Sequence, residues 1–297
     1  MTTDLYNRNI DYLRLAVTSH CNLACSFCAP EYYDCSAAST SDLSTGDLLK
    51  IVASAAEIGF KKVRLTGGEP LLRKDIVELV SSVRKIPGIE EVTLTSNGTP
   101  LSGMARGLYV SGIRRININI PTLNVEKYKV ITGRPLLKEA LKGIKNAKEN
   151  DIAVKINVVA TSRLDEEDVM LFGAMAKELS LKTRFIEYMP LSFDPRVSSL
   201  SMETLRGWLL KHYLNAEIIA AMEKPFCDQC NRLRVSASGG VFPCLFGGPS
   251  HDLSEILSGG VNDIKRILSE SIMCKPSGYF GSFADENFRP VIRSVGG

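Results

Sequence analysis

The sequence predicts an α/β fold, with a partial (β/α)6 TIM-like barrel over residues 1–190 and a smaller C-terminal unit over residues 191–297. From residue 11 to about residue 190, short apolar runs alternate with longer periodic segments, whereas the remainder is rich in loops and glycine. Such alternation of strands and helices indicates a parallel sheet with right-handed crossovers. Six units fall short of the eight in a closed barrel, so we expect an open one.

The strand predictions are short apolar runs rich in branched side chains and bounded by turn residues. In chain order they cover residues 12–18, 62–66, 91–95, 113–120, 153–160 and 183–188. The helix predictions are longer segments in which apolar residues recur three or four positions apart. They cover residues 45–58, 73–85, 101–110, 136–149, 165–179 and, after the barrel, 201–213. In such folds the functional groups lie at the carboxyl ends of the strands.

The composition is that of an ordinary globular protein, with 44% hydrophobic and 23% charged residues among 297. A net charge of +3 is small for this length and gives no reason to expect nucleic acid or a membrane surface as a partner. No apolar run reaches the roughly 18 residues of a transmembrane helix, and we expect no secretory signal. The eight cysteines are grouped in motifs, which favours a reducing, cytoplasmic location. The sequence does not determine the oligomeric state, and a homodimer is one of the alternatives.

Cys21, Cys25 and Cys28 form a C-x3-C-x2-C motif just after the first predicted strand. Three thiolates on a short loop can ligate three irons of a cubane cluster and leave the fourth iron open. Because iron–sulfur clusters are normally closed by four protein thiolates, three cysteines indicate a reactive cluster rather than an electron carrier. The alternative is a structural zinc site with His20 as its fourth ligand.

The second predicted strand runs into Gly67-Gly68-Glu69-Pro70. Two glycines let backbone approach a ligand closely, although a plain glycine-rich turn is the alternative for this segment alone. Together with the three cysteines and the βα pattern, it resembles the radical S-adenosylmethionine (SAM) enzymes. The resemblance implies that the open iron chelates SAM, with Gly67, Gly68 and Glu69 in the cofactor-binding set, and that reduction of the cluster yields a 5′-deoxyadenosyl radical.

Cys227, Cys230 and Cys244 form a second triplet, C-x2-C-x13-C, in the C-terminal unit. The C-x2-C pair is also a zinc-ribbon signature, and His251 or Cys274 could complete a tetrahedral zinc site. The spacing alone therefore does not distinguish a zinc site from an iron–sulfur cluster.

Arg232 and Arg234 alternate along an extended stretch beside Cys230, which places both guanidinium groups on one face. There they suit phosphate, whereas the alternative is two ordinary surface arginines. The run from Cys227 through these arginines to Cys244 resembles the second-cluster signature of the GTP 3′,8-cyclases, the molybdenum cofactor biosynthesis protein A family. This resemblance covers nearly the whole chain.

The resemblance implies a second 4Fe–4S cluster whose open iron binds the guanine of GTP, and arginines that bind the triphosphate. The GTP contacts that it implies are Arg14, Arg64, Thr95, Lys155, Arg232, Leu233 and Arg234. It assigns Arg232 and Arg234 to catalysis, together with Gly296 and Gly297 of a flexible tail that reaches into the site. A disordered terminus is the alternative for the tail.

The cofactor-binding set implied by the resemblance also includes Phe27, Asn119 and Met189. Asn119 stands where the family has a serine that contacts SAM, and its amide can still form a hydrogen bond. Pro121 replaces an acidic residue of the family pattern and removes a backbone N–H, so the local geometry must differ. The segment 190–226 is shorter than in bacterial members, so a substrate other than that of the family is an alternative.

The resemblance implies a radical SAM cyclase with two 4Fe–4S clusters that converts GTP to (8S)-3′,8-cyclo-7,8-dihydroguanosine 5′-triphosphate in molybdenum cofactor biosynthesis. The 3′ hydrogen of the ribose is abstracted, and C3′ attacks C8 of guanine. The implied partners are an external electron donor and, downstream, cyclic pyranopterin monophosphate synthase. One alternative is a radical SAM peptide maturase with an auxiliary cluster, which would not need Lys155, Arg232 and Arg234 together. The other is a non-catalytic zinc-ribbon binding protein.

Overall fold

The computed structural model describes residues 2–28, 42–191, 197–212, 214–257 and 259–278. Gly296 and Gly297 lie outside these described residues, so their part in catalysis stays a prediction.

The described residues form a sheet of ten strands that is mostly parallel. The strands are β1 (Tyr12–Ala16), β2 (Lys62–Thr66), β3 (Glu91–Ser96), β4 (Arg115–Asn119), β5 (Ala153–Ala160), β6 (Lys182–Glu187), β7 (Glu217–Ile219), β8 (Arg232–Val235), β9 (Gly240–Phe242) and β10 (His251–Asp252). Their order across the sheet is β10-β9-β8-β1-β2-β3-β4-β5-β6-β7. The first six are parallel neighbours in chain order, which confirms the predicted α/β partial barrel.

The strands from the C-terminal part of the chain extend the same sheet at both of its edges. Strand β7 pairs in parallel with β6, and β8 pairs in parallel with β1. Strands β9 and β10 then continue antiparallel beyond β8. The second cysteine triplet, which flanks β8 and β9, is thereby placed beside the first strand of the barrel.

The helices of the described residues cover the outer face of the sheet. They are α1 (Thr45–Ile58), α2 (Ile76–Arg84), α3 (Ala105–Ser111), α4 (Val125–Thr132), α5 (Leu137–Glu149), α6 (Glu166–Glu178), α7 (Met202–Lys211) and α8 (Val261–Met273). The sequence pattern did not predict α4, which begins at the side-chain cap of Asn124 and ends at Gly133 with a φ of 71°. None of the described helices is long and apolar enough to cross a membrane.

The alternation of side chains along the strands separates the core from the interior of the barrel. Leu13 and Leu15 of β1 are fully buried in the apolar core, together with Val63 and Leu65 of β2. The residue between each pair is an arginine that points to the opposite face, because successive side chains of a strand alternate. Basic groups are thus placed inside the barrel by the strand pattern itself.

Candidate active site

A cavity of about 650 Å³ lies on the inner face of the curved sheet. Residues at the carboxyl ends of β2, β3, β4 and β6 are among those that line it. Both cysteine triplets line it. The sequence-predicted residues in its wall are Arg14, Cys21, Cys25, Phe27, Cys28, Arg64, Gly67, Gly68, Glu69, Thr95, Asn119, Met189, Cys227, Cys230, Arg232, Arg234 and Cys244. The fold therefore brings the two motifs, which are far apart in sequence, to one compartment.

The first triplet is half-buried on the loop that follows β1. Helix α4, which the sequence pattern did not predict, holds this loop from its carboxyl end. The backbone N–H of Ala24 donates to the carbonyl of Thr132 at 2.8 Å, and that of Ser26 donates to the carbonyl of Ile131 at 3.0 Å. These two bonds flank Cys25 and fix the middle of the motif. His20, the alternative zinc ligand, is not among the described residues that line the cavity.

The two glycines after β2 let that turn pack directly against the backbone that leads into Cys21. A Cβ on Gly67 would lie 2.2 Å from the carbonyl oxygen of Thr18, and one on Gly68 would lie 2.1 Å from that of His20. The N–H of Gly68 donates to Thr18 O at 2.8 Å, and the N–H of Glu69 donates to His20 O at 2.7 Å. The glycines are therefore required to position the cysteine loop, besides lining the cavity.

Glu69 joins the ends of β2 and β3. Its carboxylate accepts hydrogen bonds from Leu71 N at 3.0 Å, Ser96 Oγ at 2.8 Å and Asn97 N at 2.6 Å. The side chain of Asn97 in turn lies 3.9 Å from the sulfur of Cys21. Burial raises the pKa of Glu69 to about 7, although the three hydrogen bonds lower it. Glu69 thus supports the first triplet through Asn97.

This raised pKa predicts a pH dependence of stability. The folded state binds a proton at Glu69 more tightly than the unfolded chain, so the free energy of unfolding falls as pH rises from 4.5 to about 7. The loss is up to about 3 kcal/mol. We expect Glu69→Gln, which does not titrate, to lack this contribution. Chemical unfolding of the metal-free protein between pH 5 and 8 measures it, and equal slopes for parent and variant would contradict the prediction.

The second triplet is half-buried around the start of β8 and the end of β9. Cys227 and Cys230 lie on one short helical turn, where Cys230 N donates to Cys227 O at 3.1 Å, and Cys244 follows β9. Burial raises the pKa of Cys230, but the nearby charge of Lys275 and a backbone hydrogen bond outweigh it and lower the pKa overall. Three cysteine sulfurs are the donor type that an iron–sulfur cluster takes.

The two residues considered as completing a zinc site are placed elsewhere. His251 Nδ1 lies 2.9 Å from Ser271 Oγ, and Cys274 is exposed. Neither is among the described residues that line the cavity. Within the described part of the chain, no group of three or more His, Cys, Asp or Glu could hold a metal ion as a compact set. A cubane cluster differs from a single ion because each thiolate binds a different iron.

Three arginines lie side by side on adjacent strands. Arg14 of β1 is in register with Arg64 of β2 on one side and with Arg234 of β8 on the other. Arg232 lies two positions earlier on β8, in register with Tyr12. Burial and the charges of its arginine neighbours lower the pKa of Arg14, and burial with the charge of Arg232 lowers that of Arg234 to about 10. Such a row of like charges suits a polyanion.

Two predicted GTP contacts do not line the cavity. Leu233 is fully buried in the apolar core, in register with Leu13, so its side chain points away from the arginine row. Lys155 Nζ lies 3.1 Å from a carboxylate oxygen of Glu217. That carboxylate lines the cavity and also accepts two hydrogen bonds from Arg184 at 2.9 Å. Lys155 is thus connected to the cavity wall through Glu217.

Arg184 is a cavity residue that sequence reasoning missed. It lies on β6 in register with Asn157 of β5, and its Nε is buried without a hydrogen-bond partner among the described residues. The available signal was a charged residue within a predicted apolar strand, the same signal that singled out Lys155.

The departure from the family pattern after β4 has a local structural counterpart. Asn119 Oδ1 accepts a hydrogen bond from Asn157 Nδ2 at 3.1 Å, and both residues line the cavity. Past Pro121, the hydroxyl of Thr122 donates to the buried Asp168 and accepts from Asn124 N at 3.0 Å. Asp168 of α6 thus anchors the turn around the proline.

Comparison with known proteins assigns the family. Residues 15–173 match the radical SAM superfamily, and residues 194–281 match the family described as Molybdenum Cofactor Synthesis C. The GTP 3′,8-cyclase of Syntrophomonas wolfei is 32% identical over 99% of both chains. The chain belongs to the GTP 3′,8-cyclase family. The GTP 3′,8-cyclase of Pelotomaculum thermopropionicum is 35% identical over 92% of this chain and 93% of its own. SAM and iron–sulfur chemistry are therefore the cofactor chemistry of this family.

Solved structures support the same fold. Native anSMEcpe with bound AdoMet superposes with a TM-score of 0.66 at 17% identity, over 90% of this chain and 81% of its own. Streptococcus suis SuiB bound to S-adenosylmethionine has a TM-score of 0.65 at 18% identity, over 84% of this chain and 64% of its own. At these identities the likeness concerns the fold alone.

Proposed function

We propose that this member of the GTP 3′,8-cyclase family converts GTP to its 3′,8-cyclised dihydro form in molybdenum cofactor biosynthesis. The observation that supports this most directly is that two cysteine triplets and a row of arginines line one cavity. A peptide maturase would need the first triplet and an auxiliary site. It would have no use for the aligned guanidinium groups, which suit a triphosphate.

The proposed roles agree with the places of these residues in the cavity wall. The first triplet would hold a 4Fe–4S cluster that, when bound, supplies the electron for cleavage of SAM. Phe27, Asn119 and Met189 would contact SAM. The second triplet would hold the second 4Fe–4S cluster against the guanine. The reacting ribose would then lie between the two sites, inside the barrel.

The triphosphate would lie along the arginine row. Arg14, Arg64 and Arg234 form its centre, and Arg232, Thr95 and Arg184 lie beside them in the cavity wall. Arg64 is already oriented by the hydroxyls of Thr93 at 3.2 Å and Thr95 at 3.5 Å. Lys155 would contribute indirectly, through the Glu217 carboxylate that it shares with Arg184. Leu233 would take part only through its backbone.

Several further assignments belong to this proposal. Residues 1–190 would form the SAM-binding part and residues 191–297 the substrate-binding part, with Gly296 and Gly297 entering the site to set up hydrogen abstraction. An external donor would reduce the clusters in the cytoplasm, and cyclic pyranopterin monophosphate synthase would consume the product. Association as a homodimer is part of the same proposal.

The proposal is tested by anaerobic reconstitution with iron and sulfide, reduction, and addition of SAM with and without GTP. Mass spectrometry should show GTP-dependent 5′-deoxyadenosine and a nucleotide isomeric with GTP. Cys25→Ala should abolish both products, whereas Cys227→Ala should abolish the cyclised nucleotide. Cys274→Ala, at an exposed cysteine outside the cavity, is the matched control. SAM cleavage that ignores GTP would favour the maturase, and an iron-free protein would favour zinc.

Glu217 is expected to weaken GTP binding, because its carboxylate holds two of the cations near the cavity. Although burial raises the pKa of Glu217, hydrogen bonds from Arg184 and Lys155 outweigh it and lower the pKa, so the group is ionised at neutral pH. Glu217→Gln should therefore lower the dissociation constant for GTP roughly twofold to fivefold, as expected for a partly exposed ion pair. Isothermal titration at low salt measures this effect.

The matched control is Glu91→Gln on β3. Glu91 accepts a hydrogen bond from Arg115 at 2.7 Å, so it is also a strand carboxylate paired with an arginine on the neighbouring strand. It is not among the described residues that line the cavity, and GTP affinity should not change. Weaker GTP binding by Glu217→Gln would show instead that the carboxylate positions Arg184 and Lys155 for the substrate.

A further inference from the structure

Lys275 is a buried cation directly behind the second triplet. It follows the carboxyl end of α8 and is only 4% exposed. Its Nζ donates to Cys230 Sγ at 3.6 Å, to Arg232 O at 2.8 Å and to Pro243 O at 2.7 Å. An ammonium group has three hydrogens, which matches these three partners.

The three acceptors belong to three separate parts of the second site. Cys230 is one member of the triplet, Arg232 begins β8, and Pro243 directly precedes Cys244. Lys275 itself is not among the described residues that line the cavity. It therefore holds two of the three cysteine segments together from the protein side, while Arg232 and Arg234 face the cavity.

A second buried cation fixes the segment that contains Lys275. Arg8 donates from Nη2 to Pro276 O at 2.6 Å and from Nη1 to Cys227 O at 2.9 Å. Its own charge is paired with the fully buried carboxylate of Asp4, at 2.6 Å from Nε. The third cysteine segment is thus attached to the same stretch of chain as Lys275. Together these contacts connect all three cysteine segments to residues 275–276 and to Arg8.

Among the described residues Lys275 forms no hydrogen bond with a carboxylate, unlike Arg8, and the side chain that it contacts is the sulfur of Cys230. A buried charge is costly unless an opposite charge compensates it. Three thiolates on an iron–sulfur cluster supply that negative charge. Net charge and hydrogen bonds to sulfur also set the reduction potential of such clusters.

We propose that Lys275 is a positioning residue of the second cluster, which holds Cys230 and the approach to Cys244 in place and stabilises the more reduced cluster by its charge. This rests on the proposed function, because it assumes that the second triplet binds a cluster. Loss of the charge should lower the midpoint potential of that cluster. Loss of the three hydrogen bonds should weaken its retention about 10- to 100-fold, as is typical when partners of metal ligands are removed.

The experiment compares Lys275→Met and Lys275→Arg in the full chain, with the first triplet replaced by Cys21→Ala, Cys25→Ala and Cys28→Ala so that only the second site is observed. After anaerobic reconstitution, iron and zinc content, loss of metal to a chelator and the midpoint potential by electron paramagnetic resonance are measured. We expect Lys275→Met to lose iron faster and to have a lower potential. Lys275→Arg, which keeps the charge, should retain most of the parent potential.

The matched control is Lys265→Met, also on α8. Lys265 pairs with Glu57 of α1 at 2.9 Å and is remote from the cysteines, so this variant removes an ion pair of the same helix without changing the cluster. Equal potential and equal iron retention in Lys275→Met and the parent would overturn the proposal. Where Lys275→Met fails to fold, Lys275→Arg is compared with an uncharged Lys275→Gln variant. A midpoint potential of Lys275→Arg that is shifted as far as that of Lys275→Gln would also overturn the proposal.

Failure of the proposed function has a different signature. If the second site of the parent takes up zinc and no iron, the assignment of a second iron–sulfur cluster is wrong. The role of Lys275 is then tested by the retention of zinc alone. Faster loss of zinc from Lys275→Met than from Lys265→Met would still support the positioning role, and equal loss would overturn it.

Discussion

Gly68→Ala is expected to lower SAM cleavage by about 100-fold or more, since small displacements of positioned groups cost this much. A Cβ at this position would lie 2.1 Å from the carbonyl oxygen and 2.5 Å from the carbonyl carbon of His20, and 2.7 Å from the carbonyl oxygen of Ser19. All three are backbone atoms, so no side chain can rotate away. The turn after β2 must then separate from the loop that carries Cys21.

The measurement is 5′-deoxyadenosine production by the reconstituted variant, together with its iron content. We expect iron at the first triplet to fall as well, because the displaced loop is the one that holds the cysteines. Gly207→Ala is the matched control, since a Cβ there meets no atom within 4 Å. Gly207 lies inside α7, so alanine should leave activity unchanged and add about 0.5–1 kcal/mol of stability. Full activity of Gly68→Ala would refute the steric argument.

The sequence was sufficient to predict the six βα units, and it shows both cysteine triplets directly. The strands of the barrel are apolar runs long enough to stand out, and the cysteine spacing is independent of the rest of the fold. Helix α4 escaped prediction because Val125–Thr132 is short and half polar, with only Tyr128, Ile131 and Thr132 buried. A helix of this kind is stabilised by tertiary contacts rather than by its own periodicity.

The side-by-side alignment of the arginine row could not be predicted from the sequence pattern. Arg14, Arg64 and Arg234 are distant in sequence, and their alignment depends on the parallel register of β1 with β2 and with β8. The pairing of β8 with β1 is a long-range contact for which the sequence pattern carries no signal. The same holds for Glu217 of β7, whose partners Lys155 and Arg184 lie on strands that precede it by many residues.

Arg234→Ala is expected to abolish GTP cyclisation, with a loss of about 100-fold or more as for other buried charge-stabilising donors. Arg234 is only 5% exposed, and its aligned neighbour Arg14 is half-buried. Cleavage of SAM without cyclisation should continue, because Arg234 belongs to the substrate side of the cavity. Mass spectrometry of both products in one reaction separates the two effects, and a variant that cyclises GTP at the parent rate would contradict the assigned role.

The same variant should lose most of the thermal stabilisation that GTP supplies. Arg14 and Arg232 repel the charge of Arg234, so a bound polyanion stabilises the row. The gain is measured for each metal-free protein as the difference between unfolding with and without GTP. With GTP at 100 times its dissociation constant, the parent should gain about 2.7 kcal/mol, and the variant should lose most of this gain.

Arg206→Ala is the control for both measurements. Arg206 is an exposed arginine of α7 that pairs with Glu223 at 3.0 Å, and it is not among the described residues that line the cavity. Its removal should change neither cyclisation nor the stabilisation by GTP. Loss of the GTP-dependent gain in Arg234→Ala, but not in Arg206→Ala, would distinguish a charge row that binds a polyanion from arginines that only support the fold. If Arg234→Ala kept the full gain, the triphosphate would have to lie elsewhere.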